Sequence, residues 1–189
     1  MKKVFLALAG VAFLTGVYSF APRTEKIPAT ALTVNLEKSR VDWVASKKSD
    51  FHTGVFPIKS GQVMVDGGKL TGGKFVLDLA NLKVTDGAGD KLSNHLKSPD
   101  FFDVAKFGEA TYEITSVNYT GANTAEVGGN LTVKGVSVPV KLTAQIRNSD
   151  DKGFFAQAFI TLDKNLVGIK YGAGNVSDDV ELAIHLFAK

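Results

Sequence analysis

Three histidines and a few paired carboxylates are the groups in this chain best suited to proton transfer or metal binding. His52 precedes Thr53 and Gly54 near an expected bend. With a nearby carboxylate it has the chemistry of a general acid–base pair; the alternative is a histidine satisfied by the neighbouring loop. His95 shares an apolar helical face with Leu92 and Leu96, where a structural hydrogen bond is expected. His185 falls on the polar side of the last strand pattern, which predicts exposure. No two histidines stand four apart on a helical pattern and no HExxH occurs, so the zinc-protease arrangement is missing. Asp86 and Asp90 flank Gly87 and Gly89, but their spacing misses the calcium loop and its terminal glutamate. They read as a solvated turn, and Asp178 with Asp179 reads as a turn at the start of a strand. The stretch GVSVP at 135–139 lacks the last glycine of a nucleophile elbow and reads as a hairpin turn. No dinucleotide or phosphate loop is found. The chain has no cysteine, which removes disulfide scaffolds, thiolate zinc sites, a cysteine nucleophile and a lipidated cysteine. No catalytic residue, metal or cofactor is assigned.

Charge and composition narrow the classes further. The 189 residues fit one domain, and 44% hydrophobic with 22% charged residues is enough to bury a core. Residues 1–21 read MKKVFLALAGVAFLTGVYSFA, with Lys2 and Lys3 before an uncharged apolar run and small residues, Ser19 and Ala21, before a cut after Ala21. This is a secretory signal pattern. An uncleaved membrane anchor is the alternative, since Pro22 would follow the cut and disfavours the peptidase. The run is a little short for a span of ~20 residues. Of 22 basic residues two lie in this leader, so the remaining 20 face 19 acidic ones, and a near-neutral body has no electrostatic drive toward nucleic acid. Residues 22–32, with Pro22 and Pro28, read as a linker, and residues 33–189 as the domain.

The elements that must position any site are strands. Val138, Val140, Leu142, Ala144 and Ile146 alternate with Lys141, Thr143, Gln145 and Arg147. Phe75, Leu77 and Leu79 alternate with Lys74, Val76 and Asp78. Val180, Leu182, Ile184 and Leu186 alternate with Glu181, Ala183, His185 and Phe187. Period two is the pattern of a sheet with one hidden face. Turn signals fall at 66–68, 71–73, 121–123 and 150–153. About eight strands result, near 40–46, 52–65, 69–79, 109–118, 124–134, 136–147, 153–163 and 178–188, with Pro57 and residues 60–61 bending the second. Residues 90–104 break the rhythm: one helix carries Leu92, His95 and Leu96, and a second is expected from Ser98 as N-cap with Pro99 at the first helical position. The fold class is all-β, an antiparallel eight-stranded barrel with a short helical insertion around 90–104, since closure removes exposed edges. A two-sheet sandwich competes. A barrel of this size holds either packed side chains or one small ligand.

The surplus is aromatic: outside the leader stand ten phenylalanines, three tyrosines and one tryptophan of the chain's 13, 4 and 1. Such rings either fill a core or line a pocket. An apolar pocket gains ~0.8 kcal/mol per buried CH₂ of a ligand chain and needs no polar catalytic group.

Three stretches carry a resemblance. NHLKSPDFFDVAKF at 94–107, GNLTVKGVS at 129–137 and LDKNLVGIKYG at 162–172, supported by VDW at 41–43 and FHTG at 51–54, resemble the YceI-like family of secreted lipid-binding proteins over about residues 34–188. Gly108 stands where the family usually has proline. Lys164 replaces a common arginine and so gives up a bidentate contact. Leu166 and Val167 replace a polar and an aromatic residue. The resemblance implies a lipocalin-like barrel, exported to the periplasm or outside the cell, often a homodimer. It also implies a cavity for polyisoprenoid, quinone-like or fatty-chain lipid, and links to stress. It brings no catalytic residues with it. Contact with membrane would run only through an uncleaved leader.

The leading expectation is a carrier or sequestering protein whose cavity is lined by Trp43, Phe75, Leu77, Phe102, Phe107, Tyr112, Ile114, Leu131, Val133, Leu142 and Phe159, on inward strand faces or at the helical mouth. A one-residue slip in phase would reverse any of these strands. A filled barrel serving as a structural or interaction protein is the second reading. An isoprenoid-modifying enzyme using His52 and a neighbouring carboxylate is the third.

Overall fold

The structure is a computed structural model that describes residues 29–150 and 152–189. The expected leader and most of the expected linker lie outside the described residues. In chain order the elements are β1 (Thr30–Thr33), β2 (Arg40–Lys47), β3 (Asp50–Asp66), β4 (Lys69–Asp78), β5 (Lys83–Val84), α1 (Gly89–Lys97), β6 (Glu109–Tyr119), β7 (Thr124–Val133), β8 (Val136–Ser149), β9 (Phe154–Asp163) and β10 (Val176–Ala188). A 3-10 turn, Lys164–Val167, leaves β9. Strands pair in the order β3, β2, β10, β9, β8, β7, β6, β4, and β4 returns to β3, closing an antiparallel barrel of the eight expected strands.

Two short strands are additions. β1 pairs with the far half of β3, Thr30 opposite Val65 and Thr33 opposite Gln62. It begins inside the segment the sequence marks as a linker, because Leu32 and the following Val34 bury their side chains. β5 pairs with Gly54 and Val55. These caps suit the length of β3, which runs past both of its barrel neighbours. The expected bend in β3 is a register shift between Ile58 and Ser60, just after Pro57, whose missing N–H cannot continue a ladder.

Tight hairpins account for the turn chemistry. Gly67 and Gly68 (φ 55° and 75°) and Lys134 and Gly135 (φ 49° and 76°) are two-residue loops with both φ positive, the form whose twist matches the flanking strands. The glycines at 72 and 73 are not a turn. They lie inside β4, and at Gly73 the missing side chain leaves room for the Phe75 ring.

The second expected helix does not form. After α1 the backbone N–H of Phe102 donates to the Leu96 carbonyl and that of Val104 to the Lys97 carbonyl, at 3.1 and 3.0 Å, so the chain doubles back over the helix end. The Ser98 carbonyl takes two donors, from Phe101 and Asp103, while its hydroxyl is buried without a partner rather than capping a helix. Asp103 adopts φ 49°. The result is a set of turns that sets Phe101 and Phe102 against the barrel.

Two apolar clusters fill the barrel's ends. One gathers Leu32, Val34, Val63, Val65, Leu70, Phe154 and neighbours beneath β1 and three hairpins. The other gathers Leu79, Ala110, Val133, Val167 and Ile169 with Phe56, Phe101 and Phe102.

Candidate ligand-binding site

A cavity of about 130 Å³ lies inside the barrel, lined mostly by members of the first cluster, among them Ile58, Leu70, Phe75 and Phe154. One wall is built by small side chains in cross-strand register: Ile184 stands opposite Val41 and Ala158, and Ala158 opposite Ala144. The alanines leave room that larger residues would fill. The other wall carries Phe75 on β4 opposite Tyr112 on β6, and Tyr112 opposite Leu131 on β7. Leu77, Ile114, Leu142, Ile160, Leu182 and Leu186 complete the lining, with Gln157 its one amide. No charged side chain lines it.

Tyr112 is the main polar group inside. Its hydroxyl donates to the Val140 carbonyl at 3.2 Å, and burial pushes its ionisation up to about 12, so at neutral pH it stays uncharged. An uncharged, internally bonded phenol leaves the cavity suited to hydrocarbon.

Six of the expected lining residues meet around this space: Phe75, Leu77, Tyr112, Ile114, Leu131 and Leu142. The other five are placed elsewhere. Trp43 faces inward in one row with Leu182 and Ile160, but its ring turns onto Gly54 and toward Phe56, 5.9 Å between centroids. Its indole N–H is buried without a partner. Phe102 meets Phe56 edge-on at 5.5 Å, and Val133 joins the same end cluster. Phe107 approaches the β7–β8 turn at Gly135. Phe159 points outward and is 68% exposed. The β9 sequence FFAQAFITLD carries aromatics on both phases, and the structure turns Phe154, Ala156, Ala158 and Ile160 inward; the slip of one residue moved Phe159 to the solvent face. Phe159 borders a separate outer depression of about 310 Å³ with Asp42, Val44 and Glu181. That hollow is larger but lies on the open outer face beside two carboxylates, so it is the poorer place for a hydrocarbon chain.

The lining residues that escaped the sequence reading are mostly small or aliphatic, such as Val41, Ala144, Ala156, Ala158, Ile160 and Leu182. Alternation marked Ala144 and Leu182 as buried, whereas placing Phe159 inward put Ala156, Ala158 and Ile160 on the wrong face. Nothing in one strand's pattern tells a cavity wall from a packed core.

Of the polar pairs only that of His185 touches a residue of the cavity lining, the Gln157 amide. His52 Nδ1 lies 3.2 Å from Asp86 Oδ2, and Asp86 also accepts the backbone N–H groups of Thr53 and Ala88 at 2.8 Å each. Those two N–H groups, then His52, hold the Asp86 carboxyl below the ordinary carboxylate range. Asp86 is thus a tether between β3 and the start of α1. His95 Nε2 lies 3.3 Å from Asp100 and its ring meets Phe101 and Tyr171 edge-on. His185 is half-buried rather than exposed, set between Gln157 at 3.0 Å and Asp42 at 3.4 Å. Lys164, 5% exposed, donates to Asp178 at 2.7 Å. Among the described residues no three carboxylates or histidines cluster as metal ligands do, and no helix is long and apolar enough to cross a membrane.

The pattern defining the YceI-like domain matches residues 32–188. A UPF0312 protein of Pseudomonas putida strain GB-1 is 32% identical over 194 residues, covering 97% of this chain and 95% of that protein. A UPF0312 protein of Pseudomonas syringae pv. syringae strain B728a is 36% identical over 141 residues, 71% of each. Among solved structures, BcnA of Burkholderia cenocepacia superposes with a TM-score of 0.72 at 23% identity, covering 82% of this chain and 99% of BcnA. A polyisoprenoid binding domain from Saccharophagus degradans, implicated in plant cell wall breakdown, gives 0.67 at 15% identity over 84% and 97%. At these identities the two structures share the fold.

Proposed function

Because the chain belongs to the YceI-like domain family, we propose that it binds one long apolar chain, an isoprenoid or a similar amphiphilic lipid, inside its barrel and carries or sequesters it. The observation that carries this reading is the cavity itself, enclosed in a closed barrel and lined by hydrocarbon without a charge. A chain entering it gains roughly 0.8 kcal/mol per buried methylene. The structural neighbour from Saccharophagus degradans, described as a polyisoprenoid binding domain, supports the class of ligand. The reading is of a binding protein rather than an enzyme, because none of His52, Asp86, His95, Asp100, His185 or Asp42 lines the cavity, and the His185–Asp42 pair reaches it only through the Gln157 amide. The leader pattern of residues 1–21 supports a periplasmic or secreted location, and the resemblance supports a homodimer. N-terminal sequencing of the exported protein checks the first, light scattering the second.

The test is organic extraction of the protein purified after export, followed by mass spectrometry of the extract. One stoichiometric polyprenyl, quinone-like or acyl species is expected. The variant Ala158→Phe, which fills the cavity with hydrocarbon, should return an empty extract while still folding. A clean extract from the parent protein that also refuses added lipids overturns the reading.

A second reading has its own observation. At about 130 Å³ the cavity is smaller than the ~300–1,000 Å³ of ordinary ligand pockets, which favours a mainly filled barrel acting through its surface. The same extraction separates the two.

A further inference from the structure

Four glycines point into the barrel from the middle of strands, and each meets an aromatic ring. A Cβ added at Gly61 would lie 2.9 Å from Phe75 Cδ1, and one at Gly73 would lie 3.0 Å from Phe75 Cζ. At Gly129 it would lie 2.5 Å from Tyr112 Cζ and 2.7 Å from the phenol oxygen. At Gly54 it would overlap the Trp43 indole and the Lys83 carbonyl. Ordinary carbon contacts sit at ~3.5–4.0 Å, so these rings occupy the space that side chains would take. None of the four glycines has a positive φ. Their backbone conformation is open to any residue, and glycine inside a strand is otherwise disfavoured for its entropy. The glycines are there for room.

The geometry shows what the room is for. Tyr112 and Phe75 line the cavity. Tyr112 lies across β7 over Gly129 and reaches Val140 on β8 with its hydroxyl, so the ring is pinned along the wall. Phe75 is received between Gly61 and Gly73. In the closed order β4 stands four strands from β9, so Phe75 faces the wall that carries Ala158. We propose that these glycine recesses set the bore of the cavity and therefore the thickness of ligand it admits. With the rings withdrawn the lumen takes a single flexible chain; a rigid fused-ring lipid is excluded. Side chains at Gly129 or Gly61 would push a ring inward and close it. This rests on the lipid-binding reading and names what the site selects.

The test compares Gly129→Ala with Gly129→Ala/Tyr112→Ala, and Gly61→Ala with Gly61→Ala/Phe75→Leu, all in the full exported protein. Gly129→Ala also crowds the Glu113 carbonyl at 2.5 Å, whereas at Gly61 the nearest backbone atom is 3.1 Å away and the other close neighbour is the Val34 side chain at 2.9 Å, so the second pair, with Val34→Ala added to both of its members, stands if the first does not fold. Binding is read with cis-parinaric acid as the single-chain probe, geranylgeraniol as its competitor and dehydroergosterol as the fused-ring probe. Xenon uptake by NMR reads open apolar volume without any lipid. The parent should bind parinaric acid, release it to geranylgeraniol and ignore dehydroergosterol. Each glycine variant should lose about tenfold in affinity and most of its xenon uptake, and each double variant should recover both. If the glycine variants match the parent, or the double variants stay closed, the recess proposal is wrong; dehydroergosterol binding as well as parinaric acid also overturns it. If the parent refuses every chain while xenon uptake still falls and returns as described, the lipid-binding reading fails and the recesses remain.

Discussion

The two ends of the barrel are closed by different physics. At one end β1, the β3–β4, β6–β7 and β8–β9 hairpins and the C-terminal residues form the seal. There Leu32, Val63, Val65 and Phe154 are buried among strands, and the phenol of Tyr119 accepts the Leu70 N–H. At the other end the closure is made of turns: the fold-back after α1, the 3-10 turn and the loop before β10 lay Phe101, Phe102, Val167 and Ile169 over the opening. These are fastened by the His52–Asp86 and Lys164–Asp178 side-chain pairs and by the Lys134 ammonium donating to the Pro99 backbone carbonyl. A sheet-sealed end opens only by breaking strand pairs together. A turn-built end can open piece by piece, because each fastening is local. On the proposed lipid-binding reading, this difference makes the turn-built end the expected entrance, although the cavity lining itself reaches Leu70 and Phe154 at the other end.

The largest effect that tests this contrast is a cavity at each end. Phe154→Ala, at the sheet-sealed end, should lower stability by about 3–5 kcal/mol in urea unfolding. Phe102→Ala, half-buried at the other end, should cost about 1–2 kcal/mol and speed release of bound chain. If Phe154→Ala speeds release and Phe102→Ala does not, the entrance is at the wrong end.

Next comes the Lys164–Asp178 pair. Asp178→Asn strands a buried ammonium and should shift the urea midpoint down, whereas Lys164→Met removes the charge altogether and should shift it less. Equal shifts in the two would mean the pair fastens nothing.

The two ends should also part company with pH. Lys164 first, with Asn165, holds the Asp178 carboxyl below its ordinary range, and backbone N–H groups do the same for Asp86. A depressed carboxylate lends stability that is complete above the unfolded value of about 3.9 and fades as pH falls through the folded value. Acid should thus loosen the turn-built end first, seen as faster amide exchange at residues 86–104 and 164–175 below about pH 4. Burial raises the ionisation of Tyr119 and takes that of Tyr112 to about 12. Their contribution is complete below the unfolded value of about 10 and lost as pH rises through the folded one, so alkali should act on the middle and the sheet-sealed end.

The smallest effect is a control. Lys106 pairs with Asp103 at 3.3 Å from an exposed position, and Lys106→Ala should change stability by no more than about 0.5 kcal/mol.

How much of this was legible beforehand varies by element. The eight barrel strands and the turn at 67–68 could be read directly, because period two and paired glycines are local properties; the stretch 135–139, which reads as a hairpin turn, is turn only at Gly135 and strand from Val136 onward. The second helix could not: Ser98 and Pro99 carry a helix-start pattern, yet docking Phe101 and Phe102 on the barrel overrides it. The glycines at 72 and 73 carry the pattern of a turn, yet both lie inside β4 and Gly73 makes room for Phe75. Phe159 was misplaced because β9 has aromatics on both phases, and its bulge-bearing neighbour β8 shifts register between Ile146 and Asn148.

The sequence by itself determined an all-β chain with one hidden face per strand, since alternation is written residue by residue. Which strands close on one another, where the barrel is left hollow and which rings are withdrawn into its wall were decided only by the tertiary structure. A cavity is the volume left between residues far apart in the chain, here Ala158 across from Phe75, and no single strand's pattern contains that distance.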